Sequence, residues 1–188
     1  MRINRVVTKT GDQGETALIG GTRVGKDSLR ISACGDVDEL NSCLGLAAAW
    51  IKDDSIRDLL LPIQNRLFTV GADVNSPAAV RVPRVTSEHV SELEQVMEGL
   101  MDELPPLEEF ILPGGGPGGA ALHLARTVAR RAERTVVALS RAEETNAQAL
   151  IYLNRLSDFL FVLARVANKR AGEGETLANF SERKKSVD

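Results

Sequence analysis

Aromatic residues make up only 4% of this 188-residue chain, which also holds just seven prolines, two cysteines and two histidines. So little aromatic and proline content, in a chain rich in Ala, Leu, Arg and Glu, argues against a β-sandwich or barrel and for helices. The cysteines and histidines do not add up to a zinc site. Cys34 and Cys43 fall on opposite faces of any helix that carries both, and His89 and His123 are distant in sequence. The same geometry keeps the two thiols from pairing, and buried thiols are the expectation. No apolar run reaches the roughly 18 residues of a membrane span, and Met1 to Thr10 lacks the apolar stretch of a signal peptide, so a cytoplasmic protein without membrane contact is expected. An excess of one charge is missing too. With 23 Lys and Arg against 26 Asp and Glu, the net charge of -3 excludes a surface built wholly for nucleic acid and confines any basic site to a local patch.

What is present suffices for a core without disulfide or metal: 43% of the residues are hydrophobic and 26% charged. Residues 8–26, TKTGDQGETALIGGTRVGK, read as a loop around a short strand-like Ala17-Leu18-Ile19. Helical spacing is expected from Asp36 through Val37, Leu40, Leu44, Ala47 and Ile51, and again from Ile56 to Val74, with Pro62 as a kink or a new helix start. Thr86 can cap a third helix that Pro105-Pro106 ends. A long helix from about Ala120 to Arg141 and a mostly apolar one from about Asn146 to Arg170 follow. The expectation is one all-α domain over residues 1–171, a five-helix bundle with a nucleotide-binding arm at 1–30, and a polar flexible tail at 172–188.

Gly20-Gly21-Thr22-Arg23-Val24-Gly25-Lys26-Asp27 nearly spells a phosphate-binding P-loop, but Asp27 stands where the Mg²⁺-binding hydroxyl belongs, and no parallel sheet is in sight. The arm's backbone N–H groups with Lys9, Arg23 and Lys26 suit a polyphosphate, although a solvated arm with ordinary surface charges reads equally well. Gly114-x-Gly116-x-x-Gly119 matches a dinucleotide fingerprint, yet the downstream strand such a unit needs is lacking, and a close backbone approach explains the glycines better. Arg126, Arg130 and Glu133 share one helix face, flanked by Arg131 and Arg134: either a solvated stripe or, being mostly Arg, a phosphate contact. Asn154, Asp158 and Arg165 line up on the last helix and call for polar partners. Asp36-x-Asp38-Glu39-x-Asn41-Ser42 reads as a helix start, or as a Mg²⁺ or Arg partner.

Together T-K-T-G-D-Q-G-E-T with G-G-T-R-V-G-K-D, G-D-V-D-E-L-N-S, Q-N-R-L-F-T-V-G-A-D, F-I-L-P-G-G, R-T-V-A-R-R-A-E-R and Y-L-N-R-L-S-D-F-L-F-V-L-A-R resemble the PduO-type ATP:cob(I)alamin adenosyltransferases, in family order from residue 8 to about 170. Cys34, Gly116, Gly118, Gly119 and Ala129 depart from the usual pattern. The resemblance implies a homotrimer with ATP between subunits, adenosyl transfer from ATP to the cobalt of cob(I)alamin, and release of triphosphate. It assigns Thr8, Lys9, Thr10, Gly11, Gly14, Thr16, Arg23 and Lys26 to the triphosphate, and Arg126, Arg130, Glu133 and Asn154 to the rest of the nucleotide site. It pairs Asp38 with Arg126 across the interface and turns Phe110 toward the corrinoid, with Arg130, Phe110, Asp38 and Arg126 as the catalytic set. Mg²⁺ is expected, its ligands unassigned, and a reductase and an adenosylcobalamin-dependent mutase or dehydratase are the partner enzymes. A module that delivers adenosylcobalamin, or a P-loop-like ATPase, are the alternatives.

Overall fold

In the computed structural model, which describes residues 7 and 9–180, the arm is a β-hairpin rather than a plain loop. Strands β1 (Glu15–Ala17) and β2 (Arg23–Gly25) pair antiparallel with Thr16 opposite Val24. The first strand lies two residues earlier than Ala17-Leu18-Ile19. The Gly20-Gly21 turn sets this register, because both glycines adopt positive φ (105° and 91°), and the amide of Leu18 donates to the carbonyl of Thr22 at 2.8 Å. Leu18 is then the arm's buried anchor.

Five helices follow: α1 (Leu29–Trp50), α2 (Asp54–Val74), α3 (Ser87–Met101), α4 (Pro117–Ala142) and α5 (Ala147–Arg170). Their order and number match the expected bundle. The first helix starts seven residues before Asp36, so the acidic segment lies two turns in and is no helix cap. The pattern was hidden because its first core position is a charge: Arg30 is buried in series with Ala33, Val37, Leu40, Leu44 and Ala47. Helix α2 runs unbroken through Pro62, whose ring lies on an exposed face. Asp53 caps it by accepting from the amides of Ser55 (2.9 Å) and Ile56 (3.3 Å). Thr86 does open α3, its amide donating to Nδ1 of His89 at 3.1 Å. Pro117 takes the first position of α4, three residues ahead of Ala120, as suits a residue without an amide hydrogen.

The core is a single cluster in which α4 and α5 pack on each other and on α1 and α3 respectively. Gly118 and Gly119 are buried where α4 begins: a Cβ on Gly118 would stand 2.6 Å from Cγ1 of Ile51, and one on Gly119 would overlap the Asn168 amide. The glycine run therefore serves close approach. Residues 172–180, the first part of the expected tail, lie against residues 110–112. The amide of Leu112 donates to the carbonyl of Thr176, and the amide of Ala178 to that of Phe110, both at 2.8 Å. Among the described residues no helix is long and apolar enough to cross a membrane.

Candidate active site

The hairpin orders several of the arm residues named above. Arg23 on β2 reaches back, its Nη2 donating to the carbonyl of Thr10 at 3.0 Å and its Nε pairing with Glu15 at 3.1 Å. The amide of Lys26 donates to the carbonyl of Gly14 at 2.8 Å, and its ammonium passes over Gly11, where a Cβ would stand 3.0 Å from Nζ. Lys9 holds a positive φ of 59°. Thr8 lies outside the described residues. The near-P-loop is thus an antiparallel hairpin, whose Gly25 has the Asp27 carboxylate against its Cα, and α1 begins only at Leu29.

Beneath the hairpin, between α1 and α2, is a cavity of about 610 Å³ bounded by Thr16, Lys26, Asp38, Asn41, Phe68 and Asn75 among others. Asp38 is exposed there, and its carboxylate makes no hydrogen bond or ion pair among the described residues. The Oδ1 atoms of Asn41 and Asn75 are buried without partners among the described residues. Cys34 is half-buried rather than enclosed, and both burial and the nearby Asp38 charge raise its thiol pKa. Cys43 is likewise half-buried and free. Phe68, 71% exposed on α2, did not emerge from the sequence; its signal was an aromatic residue off the Ile63, Leu67, Val70 spacing.

Among α3, α4 and α5, Arg126 and Arg130 line another cavity of about 280 Å³ with Met97, Asp158 and Phe161. Glu133 and Asn154 form the seam expected between the last two helices, the Asn154 amide donating to Oε1 of Glu133 at 2.9 Å. Arg130 is exposed and makes no hydrogen bond or ion pair among the described residues. Arg126 is half-buried with its Nε unpartnered, and burial first and the Arg130 charge second lower its pKa. No ion pair joins Asp38 and Arg126 within this chain. Arg131, read as part of the stripe, instead turns to α1 and binds Asp36 (3.2 Å) and Glu39. Asp158 pairs with Arg155 at 2.9 Å, so the alignment of Asn154, Asp158 and Arg165 does not become one seam. Eleven residues of helix separate the ends of that row by about 16 Å, and Arg165 faces the tail instead. Its Nε donates to Glu175 at 2.6 Å, and its Nη2 to the carbonyl of Pro105 at 3.1 Å.

Phe110, a lone aromatic before the glycine loop, is 78% exposed and so is no core plug. Its ring meets Phe180 edge-on, with centroids 6.1 Å apart. His123 is buried with Nδ1 unpartnered, and burial and the Arg126 charge lower its pKa. No three His, Cys, Asp or Glu residues converge to hold a metal among the described residues.

The cobalamin adenosyltransferase family model matches residues 6–167. A corrinoid adenosyltransferase of Bacillus subtilis is 47% identical over 175 residues, 91% of this chain and 90% of its own. A cobalamin adenosyltransferase of Cupriavidus metallidurans is 46% identical over 177 residues, covering 94% and 95%. Among solved structures, a variant PduO-type ATP:corrinoid adenosyltransferase from Lactobacillus reuteri, complexed with cobalamin and ATP, superposes with a TM-score of 0.90 at 37% identity, covering 93% of this chain and 99% of that one.

Proposed function

The chain belongs to the cobalamin adenosyltransferase family, and from that membership and its own geometry we infer that two separate faces of the molecule, meeting between neighbouring copies, build one site. The protein is a transferase that moves the 5′-deoxyadenosyl group of ATP to the cobalt of reduced cob(I)alamin. One observation supports the division. Among the described residues neither the Asp38 carboxylate nor the Arg126 guanidinium has a partner, and within a chain they line different cavities. A half-buried cation left unanswered is costly, so a second copy that brings its Asp38 to Arg126 satisfies both groups. A homotrimer in which each copy offers its arm to the next copy's α4–α5 face repeats that contact around a closed ring.

In that site Co(I), an intrinsically strong nucleophile, attacks C5′. The Co–C bond forms from the cobalt electron pair as the C5′–O bond breaks, and triphosphate leaves with the electrons of that bond. The residues need only orient the reactants and stabilise charge on the leaving group. Lys9, Thr10, Gly11, Gly14, Thr16, Arg23 and Lys26 offer backbone and cationic donors to the phosphates, and Arg130 adds a forked donor from the adjacent face. Glu133 and Asn154, already paired, complete the nucleotide contacts. Phe110 presents an apolar ring to the corrinoid that keeps a lower axial base from the cobalt. For Mg²⁺ the acidic segment offers no cage: Arg131 engages Asp36 and Glu39, leaving Asp38 and Asn41. The phosphate oxygens of ATP and water would make up its shell.

Incubation with ATP, Mg²⁺ and chemically reduced cobalamin tests the reading: one inorganic triphosphate is expected per light-sensitive Co–C product. Appreciable ADP would instead mark a P-loop-like ATPase. ATP-dependent retention of adenosylcobalamin without its synthesis would mark a delivery module.

A further inference from the structure

The end of the bundle nearest the arm holds a cluster of buried and half-buried charges that the reaction does not use. Asp73, on the last turn of α2, is 2% exposed. Its carboxylate accepts from Nη1 of Arg84 (2.6 Å), the amide of Val85 (2.9 Å) and Nδ2 of Asn146 (2.6 Å). Arg84 then gathers the connection between α2 and α3 around itself. Nη1 donates to the carbonyl of Asp73 at 3.0 Å, and Nη2 to those of Pro77 (3.0 Å) and Val80 (2.9 Å). From the other side Arg30 donates to the carbonyls of Val74 (2.6 Å) and Ser76 (3.1 Å). Buried ion pairs seldom stabilise a fold more than apolar packing of equal volume would, and their attested gain is a fixed geometry.

What this geometry fixes is the position of Val80. Its side chain lies against Gly20 in the hairpin turn, where a Cβ on the glycine would stand only 2.9 Å from Cγ2 of Val80. Gly20 has φ 105°, so the turn meets the loop as bare backbone. The hairpin that ends in this turn carries Thr16, Arg23 and Lys26.

We propose that Arg84 is a positioning residue of the nucleotide site: it shapes the 75–85 loop so that Val80 buttresses the Gly20 turn and sets the height of the arm over the bundle. The inference rests on the reading of the arm as the triphosphate-binding element.

Val80→Gly removes the buttress and leaves the Asp73–Arg84 cluster intact. It should raise KM for ATP about tenfold, with kcat at saturating ATP and KM for the corrinoid within about twofold of the parent. Arg84→Lys, which keeps the charge but loses the fork, should shift KM for ATP in the same direction. Lys26→Ala in parallel tests the premise. If Lys26→Ala raises KM for ATP and Val80→Gly does not, the loop is structural only and the proposal falls. If Val80→Gly raises both Michaelis constants equally, the effect is general loosening and the proposal falls as well. If Lys26→Ala leaves KM for ATP unchanged, the arm reading itself fails and takes the buttress with it.

Discussion

The arm and the α4–α5 face both carry cations, Arg23 and Lys26 on one and Arg126 and Arg130 on the other, and hold them by opposite means. In the arm a hairpin of two three-residue strands is held by backbone hydrogen bonds across glycines of positive φ, and its Arg23 and Lys26 side chains are exposed. On the face Arg126 and Arg130 sit one turn apart on a 26-residue helix whose other side is buried core. A short hairpin can adjust to a ligand, whereas a packed helix holds its forks where they are. In the proposed site, an adjustable half beside a rigid one would reconcile capture of a nucleotide with precise placement of C5′.

The largest expected effect separates the halves directly. Arg130→Ala should lower turnover at least about 10²-fold, the loss of roughly 3 kcal/mol of charge-assisted stabilisation, with an unchanged helical circular dichroism spectrum. Lys26→Glu should also be severely impaired. Co-expressed, the two variants should recover activity in about a quarter of the sites, since a site formed by an intact arm of one copy and an intact face of the next is wild type. No recovery beyond the sum of the parents would place both halves in one chain.

Phe110→Ala comes next. An exposed ring contributes far less to stability than a buried one, so the melting temperature should stay within about three degrees of the parent. Turnover should fail with Co(II) substrate under a mild reductant and largely return with pre-reduced Co(I). Equal loss with both substrates would remove Phe110 from the corrinoid side of the comparison.

The smallest effect belongs to a staple remote from both halves. Hydrogen bonds from Ser55 first and from Arg170 second pull the Asp53 carboxyl down to about 2. A folded-state value below the ordinary one means that this group stabilises the fold above its unfolded value, and that the contribution is lost as pH falls toward 2. Asp53→Asn should therefore lower the melting temperature near neutral pH by a small amount that vanishes in acid, and should leave KM for ATP and for the corrinoid alone. A change in either constant would mean that the staple is not independent of the site.

Much of this was legible in the sequence because its signals are local. Thr86 and Asn146 mark helix starts by capping chemistry that needs no tertiary partner, whereas α3 ends at Met101, four residues before the expected Pro105-Pro106 stop. The Glu133–Asn154 seam followed from the demand of polar groups between packed helices. The misses share another cause. Arg30 occupies a core position only because Glu143 and two carbonyls from distant segments meet it, so the start of α1 looked polar. Arg131 left the stripe because Asp36 and Glu39 face it from another helix. Phe68 was passed over because an exposed aromatic carries meaning only once a cavity stands beside it. Periodicity assigns a residue to a face, while its partner is a property of the fold.

Asn168 ties together two helix ends that would otherwise fray separately. Its side chain accepts from the amide of Gly116 at 3.1 Å and donates to the carbonyl of Gly114 at 2.9 Å, while its own carbonyl receives the amide of Glu173 at 2.9 Å. The start of α4, the last turn of α5 and the start of the tail thus meet at one residue, through its side-chain amide and its backbone carbonyl. Opening any of them breaks a hydrogen bond to the others, so their backbone amides should exchange with solvent as one cooperative unit, together with the pairing of residues 110–112 on 176–178.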